Sequence, residues 1–135
     1  MSEPRPAGLL DTSVLVDLAA VDPITLPEEW AISAVTLAEL AAGPHVARDP
    51  AARARRQDLL QRVEATFETL PVDGAVARAY GRIYAATAAA GRKARGRRSL
   101  DLLVAATALA HGLPLYTRND RDFAGLEDLV EVVAV

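Results

Sequence analysis

Cysteine is absent from this 135-residue chain. That excludes disulfides, thiolate-held zinc, iron–sulfur clusters and cysteine nucleophiles together, and it fits a reducing cytoplasm, the expected location. No apolar run approaches the ~18 residues that a membrane-spanning helix needs, so no membrane association is expected. Residues 1–6 hold one glutamate and two prolines but no cationic, apolar leader, so a signal peptide is not expected. Histidine occurs only at His45 and His111, which makes zinc a poor candidate metal. Both histidines read as solvated or capping residues.

What is present describes an ordinary globular chain. Hydrophobic residues make up 51% and charged residues 24%, which excludes disorder. The length suits one domain over residues 1–135, large enough to bury a sizeable core. Fifteen basic against eighteen acidic residues give a net charge of −3, which argues against a generic nucleic-acid coat protein. The sum hides an asymmetry. Five of the fifteen cations, Arg92, Lys93, Arg95, Arg97 and Arg98, fall within seven consecutive residues of an otherwise acidic chain. Such a loop suits a polyanion, although a basic run is by default a solvated loop.

Apolar runs alternate with helical stretches. Gly8-Leu9-Leu10 reads as a buried strand that stops at Asp11, followed by a tight corner and a helix over residues 14–20. Trp30-Ala31-Ile32 is the next strand, and Ser33 caps a helix ended by Gly43-Pro44. A charged helix follows over residues 50–68, then a short extended link at Leu70-Pro71-Val72. Asp73 caps a helix to residue 90 with Val76, Tyr80, Ile83 and Tyr84 inward, and Ser99 caps a helix over 100–111 after the basic loop at 91–98. Leu115-Tyr116-Thr117 is a strand, residues 118–122 a polar turn, and residues 129–135 a last β-rich run. This alternation predicts an α/β sandwich with a mainly parallel central sheet.

The acids are placed informatively. Asp11 closes the first strand, Glu39 lies in the helix after the second, Asp101 is in the first turn of its helix, and Asp120 and Asp122 follow the strand ending at Thr117. In open parallel sheets the crevice forms outside the carboxyl ends of the strands, where all these segments meet. An acid closing an apolar strand, as Asp11 does, is costly unless something uses it, whereas each of the others singly has a plainer explanation. Asp101 suits a helix dipole, Glu39 can snorkel, and Asp120 and Asp122 are ordinary turn residues. Asp17 and Asp22 read as helix-surface and turn acids. Clustered carboxylates repel unless a cation joins them, and oxygen ligands favour Mg²⁺, with Mn²⁺ able to substitute. A hard metal on acids is the setting for phosphodiester hydrolysis.

Four segments also resemble one known family. Leu9-Leu10-Asp11-Thr12-Ser13-Val14-Leu15-Val16-Asp17, Ser33-Ala34-Val35-Thr36-Leu37-Ala38-Glu39-Leu40, Leu100-Asp101-Leu102-Leu103-Val104-Ala105-Ala106-Thr107-Ala108 and Leu115-Tyr116-Thr117-Arg118-Asn119-Asp120-Arg121-Asp122-Phe123 are similar to the motifs of PIN-domain proteins. In length and spelling they resemble the VapC toxins of bacterial VapBC toxin–antitoxin pairs. The resemblance implies a PIN-like fold, a three-layer α/β/α sandwich around a parallel sheet, with Mg²⁺-dependent endoribonuclease activity on tRNA, rRNA or mRNA, inhibition by a cognate VapB-like antitoxin, and a homodimer. It assigns the metal to Asp11 and Asp101, makes Glu39 the second acid, and leaves the fourth to Asp122 or Asp120. Thr12, Ser13, Thr117 and Asn119 are the expected supporting polar residues, and the charge of the basic run beside Asp101 makes Arg92, Lys93, Arg95, Arg97 and Arg98 the expected RNA-binding ones.

Other phosphate chemistry fits less well. The stretch from Gly91 to Ser99 echoes a P-loop, but Arg97 stands where the lysine belongs and no strand precedes it. A phospho-receiver domain needs a lysine on a late strand, and the sole lysine is in the basic loop. A haloacid-dehalogenase-type phosphatase needs Asp-x-Asp where this chain has Asp11-Thr12-Ser13. The remaining alternative is a catalytically weak PIN domain that binds RNA or protein.

Overall fold

The computed structural model describes residues 6–135, so most of the segment bearing on a leader lies outside the described residues. Five strands, β1 (Ala7–Leu10), β2 (Glu29–Ser33), β3 (Glu68–Leu70), β4 (Leu115–Thr117) and β5 (Val132–Ala134), form one sheet in the order β3-β2-β1-β4-β5. Every pairing is parallel. Five helices connect them: α1 (Thr12–Val16), α2 (Ala34–Val46), α3 (Pro50–Thr66), α4 (Gly74–Ala89) and α5 (Arg98–His111).

Successive strand residues point to opposite faces, and the core divides accordingly. Leu9 and Leu115 pack with Val76, Ile83 and Leu102 of α4 and α5. Leu10 and Tyr116 pack on the other face with Val14, Leu40 and Val63 of α1, α2 and α3. The result is the expected three-layer sandwich. Helix α5 runs close to its neighbours because Val104, Ala105, Ala106, Thr107 and Ala108 are all fully buried and small. Gly112 stops it in the left-handed region at φ 63°, where its N–H reaches the Ala108 and Leu109 carbonyls. Among the described residues no helix is long and apolar enough to cross a membrane.

Several local expectations need correction. The first helix ends at Val16, and a separate 3₁₀ turn covers Leu18–Ala20. Helix α2 runs through Gly43-Pro44 to Val46. Two of its last-turn carbonyls are taken by α3: Arg56 Nη1 donates to Gly43 O at 2.9 Å and Arg53 Nε to Pro44 O at 3.2 Å. The apparent link around Leu70 begins as edge strand β3, which pairs with β2 through Ala31, Ile32 and Ser33. Tyr84 is 42% exposed, a quarter-turn away from the buried Ile83 stripe. Helix α5 begins at Arg98, inside the expected basic loop, and Ser99 Oγ donates to Gly96 O at 2.6 Å instead of capping.

Candidate active site

From β1 the chain crosses to β2 and β3 on one side, and β4 and β5 lie on the other. The switch in direction opens a crevice at the carboxyl ends of β1 and β4, where such sheets place their sites. Asp11 follows β1, and its N–H donates to Tyr116 O on β4 at 2.9 Å. It stands as N-cap of α1 but accepts no capping hydrogen bond, so its carboxylate is turned to other partners.

Those partners are hydroxyls. Ser13 Oγ and Thr117 Oγ1 each donate to Asp11 Oδ2 at 2.8 Å. The same hydroxyls accept from the main chain that follows β4: Arg118 N to Ser13 Oγ and Asn119 N to Thr117 Oγ1, both 3.0 Å. Asp11 is only 6% exposed, and this network satisfies its buried Oδ2. Both hydroxyl bonds land on one oxygen, which leaves Oδ1 clear of them. Glu39 is held similarly, accepting from Thr12 Oγ1 at 2.9 Å through Oε1.

Asp11, Glu39, Asp101 and Asp122 all line one open cleft of about 570 Å³, together with Thr12, Ser13 and Asn119. Thr117 is fully buried behind Asp11. Asp120 is exposed in the turn and does not line the cleft. The basic run divides. Arg97 and Arg98 border the cleft, whereas Arg92, Lys93 and Arg95 do not. Arg98 Nη1 donates to Asp122 O at 3.0 Å, which ties the start of α5 to the turn after β4.

Two further residues escaped sequence reasoning. Asp17, read as a surface acid, and Arg118, not singled out at all, both line the cleft and form an ion pair at 3.4 Å. The available signal was position: Arg118 directly follows the strand-end Thr117. Asp22, by contrast, is the turn acid it resembles, accepting from Ile24 N at 3.1 Å.

The electrostatics reflect crowding. Burial, then the charges of Asp11, Asp122 and Glu39, push Asp101 up from the usual 3.8 to about 6, with Arg98 opposing them. Burial also raises Glu39; the Thr12 hydrogen bond opposes this, Asp11 adds to it, and Arg97 opposes it. Among the described residues, no group of three acidic or histidine side chains is arranged to hold a metal by itself. An all-oxygen set of spaced carboxylates fits Mg²⁺, which keeps several waters and binds through one or two carboxylates. It does not fit a closed structural zinc site.

Comparison with known proteins gives a consistent result. The PIN domain family matches residues 8–129. Over the full length of both chains, the protein is 39% identical to Ribonuclease VapC5 of Mycobacterium tuberculosis. It is 38% identical to Ribonuclease VapC4 of the same organism, over 95% of this chain and 96% of the relative. The crystal structure of VapBC-5, a member of the VapBC family of toxin–antitoxin systems from M. tuberculosis, contains a chain that superposes with TM-score 0.85. That match has 41% identity and covers 96% of this chain and 99% of the other. VapBC2 from Rickettsia felis, bound to a promoter DNA fragment, shares the fold at TM-score 0.75 and 21% identity, over 96% and 98% of the two chains. The protein therefore belongs to the PIN-domain family and, within it, to the VapC branch.

Proposed function

We propose that the protein is the toxin of a type II toxin–antitoxin pair, a Mg²⁺-dependent endoribonuclease that hydrolyses RNA phosphodiester bonds. One observation carries the chemistry: acids from four separate segments line a single cleft at the sheet's switch point, flanked by arginines. The similarity to ribonucleases VapC5 and VapC4 supports RNA as the substrate class. The VapBC-5 match supports a small VapB-like antitoxin as the partner that restrains the activity. The same reading makes residues 1–135 one domain, places it in the cytoplasm and includes a homodimer.

Asp11 and Asp101 would hold the metal, Asp11 through the oxygen its hydroxyl donors leave clear. When bound, Mg²⁺ supplies a Lewis acid for a phosphate oxygen and a lowered pKa for water. Glu39, fixed at Oε1 by Thr12, orients the attacking water with its second oxygen. Ser13 and Thr117 hold the Asp11 carboxyl in place by donating to Oδ2. Asp122, tethered through its main chain to Arg98, is the fourth acid of the cleft. Asp120 is outside this set. Arg97 and Arg98 offset the negative floor for an incoming phosphate.

Cleavage of an RNA pool with Mg²⁺ or with EDTA, followed by mapping of the ends, tests the reading. Mg²⁺-dependent cuts should leave 5′-phosphate and 3′-hydroxyl ends. Metal-independent cuts with 2′,3′-cyclic phosphates would contradict it. Undetectable cleavage with RNA or protein binding retained would favour a catalytically weak binding module.

A further inference from the structure

We propose that Arg118 binds the RNA backbone, its guanidinium taking a phosphate that flanks the scissile one. The inference rests on the ribonuclease reading above. Five carboxylates but only three guanidinium groups line the cleft, so a polyanion enters only where cations are aimed at it. The three arginines are not equivalent. Arg98 already spends Nη1 on the Asp122 carbonyl. Arg97 caps the start of α5 from an exposed position with no side-chain capping bond.

Arg118 combines a fixed base with a free end. Its own N–H donates to Ser13 Oγ, and the preceding Thr117 donates to Asp11, so its backbone is tied to the acid at the centre of the site. Its side chain meets Asp17 as an ion pair, with Nε 3.4 Å from Oδ2. Among the described residues neither Nη group has a hydrogen-bond partner, which leaves the outer fork of the guanidinium available for a bidentate phosphate contact. Arg118 and Asp17 are 31% and 58% exposed in their side chains. Ion pairs at that exposure contribute little, so Asp17 can hold the arginine on the cleft wall in the absence of RNA and release it at small cost.

The test compares wild type, Arg118→Gln and Arg118→Lys. Binding of a fluorescein-labelled single-stranded RNA is followed by anisotropy in EDTA over a range of KCl, and cleavage kinetics are then measured with Mg²⁺. Arg118→Gln should weaken binding about tenfold and make the slope of log affinity against log salt shallower by about 0.7. It should raise KM by a similar ~10-fold and leave kcat within about twofold. Arg118→Lys should keep the wild-type slope and recover part of the affinity. Unchanged affinity and slope in Arg118→Gln would overturn the inference. So would a fall in kcat at constant KM, a lowered melting temperature with normal RNA binding, or no RNA binding by the wild type. If the wild type binds RNA but never cleaves it, the ribonuclease reading fails while the slope comparison still decides the role of Arg118.

Discussion

At Asp101, folding and chemistry pull in opposite directions. Burial and then three neighbouring acids push its carboxyl up to about 6 in the folded chain. The folded state therefore binds more protons than the unfolded state above the usual value of 3.8, and the metal-free protein loses stability as pH rises from about 4 through 6. Asp101→Asn removes that penalty. It should stabilise the metal-free protein at pH 7.5 by roughly 1–2 kcal/mol, less than the full shift implies because solvent screens the cluster, and flatten the melting temperature between pH 5 and 7.5. The same substitution should lower RNA cleavage by about a hundredfold or more, a stability gain paired with an activity loss. Thr117→Val acts in the opposite sense. It removes a buried hydroxyl that donates to Asp11 and should cost about 1–3 kcal/mol in chemical denaturation, with reduced cleavage.

Among the elements, the tightest steric condition is at Gly8 in β1. A Cβ there would lie 2.9 Å from Pro27 Cγ and closer still to the buried Tyr116 ring. Gly8→Ala should destabilise by about 1–3 kcal/mol in urea, because the side chains on that face have no room to move. Most elements were legible in the chain. Leu9-Leu10 and Leu115-Tyr116 are short apolar runs bounded by breakers, and Ser33 and Asp73 mark helix starts by local chemistry. What escaped depends on distant partners. Glu68–Leu70 becomes a strand only because β2 offers an edge, and α2 outlasts Pro44 because Arg53 and Arg56, nine and thirteen residues beyond their partners, satisfy its carbonyls. The capping role expected of Ser99 fails because the helix already begins at Arg98 and the Ser99 hydroxyl donates to Gly96 O.

Over the whole molecule, the strand order does what no single motif can. It brings the ends of β1 and β4 together, and with them Asp11, Ser13, Thr117, Arg118 and Asp122 from opposite ends of the chain. The gathering of Asp11, Glu39, Asp101 and Asp122 was legible because each acid follows a strand or opens a helix at the same edge of the sheet. The separation of Asp122 from Asp120 was not, since it depends on how the 3₁₀ turn Asp120–Phe123 faces the cleft. Nor was the pairing of Asp17 with Arg118, two ordinary surface residues in sequence. The division of the basic run has the same origin: only its last two arginines reach the cleft, because α5 begins there.

The decisive measurement is a calorimetric titration of Mn²⁺ into wild type, Asp11→Asn and Asp101→Asn at pH 7.5 and pH 5. The wild type should bind the ion at pH 7.5 and more weakly at pH 5, where protons compete for Asp101, and both variants should lose most of that affinity. Equal Mn²⁺ binding by all three proteins, or none by the wild type, would show that these carboxylates do not share a divalent ion.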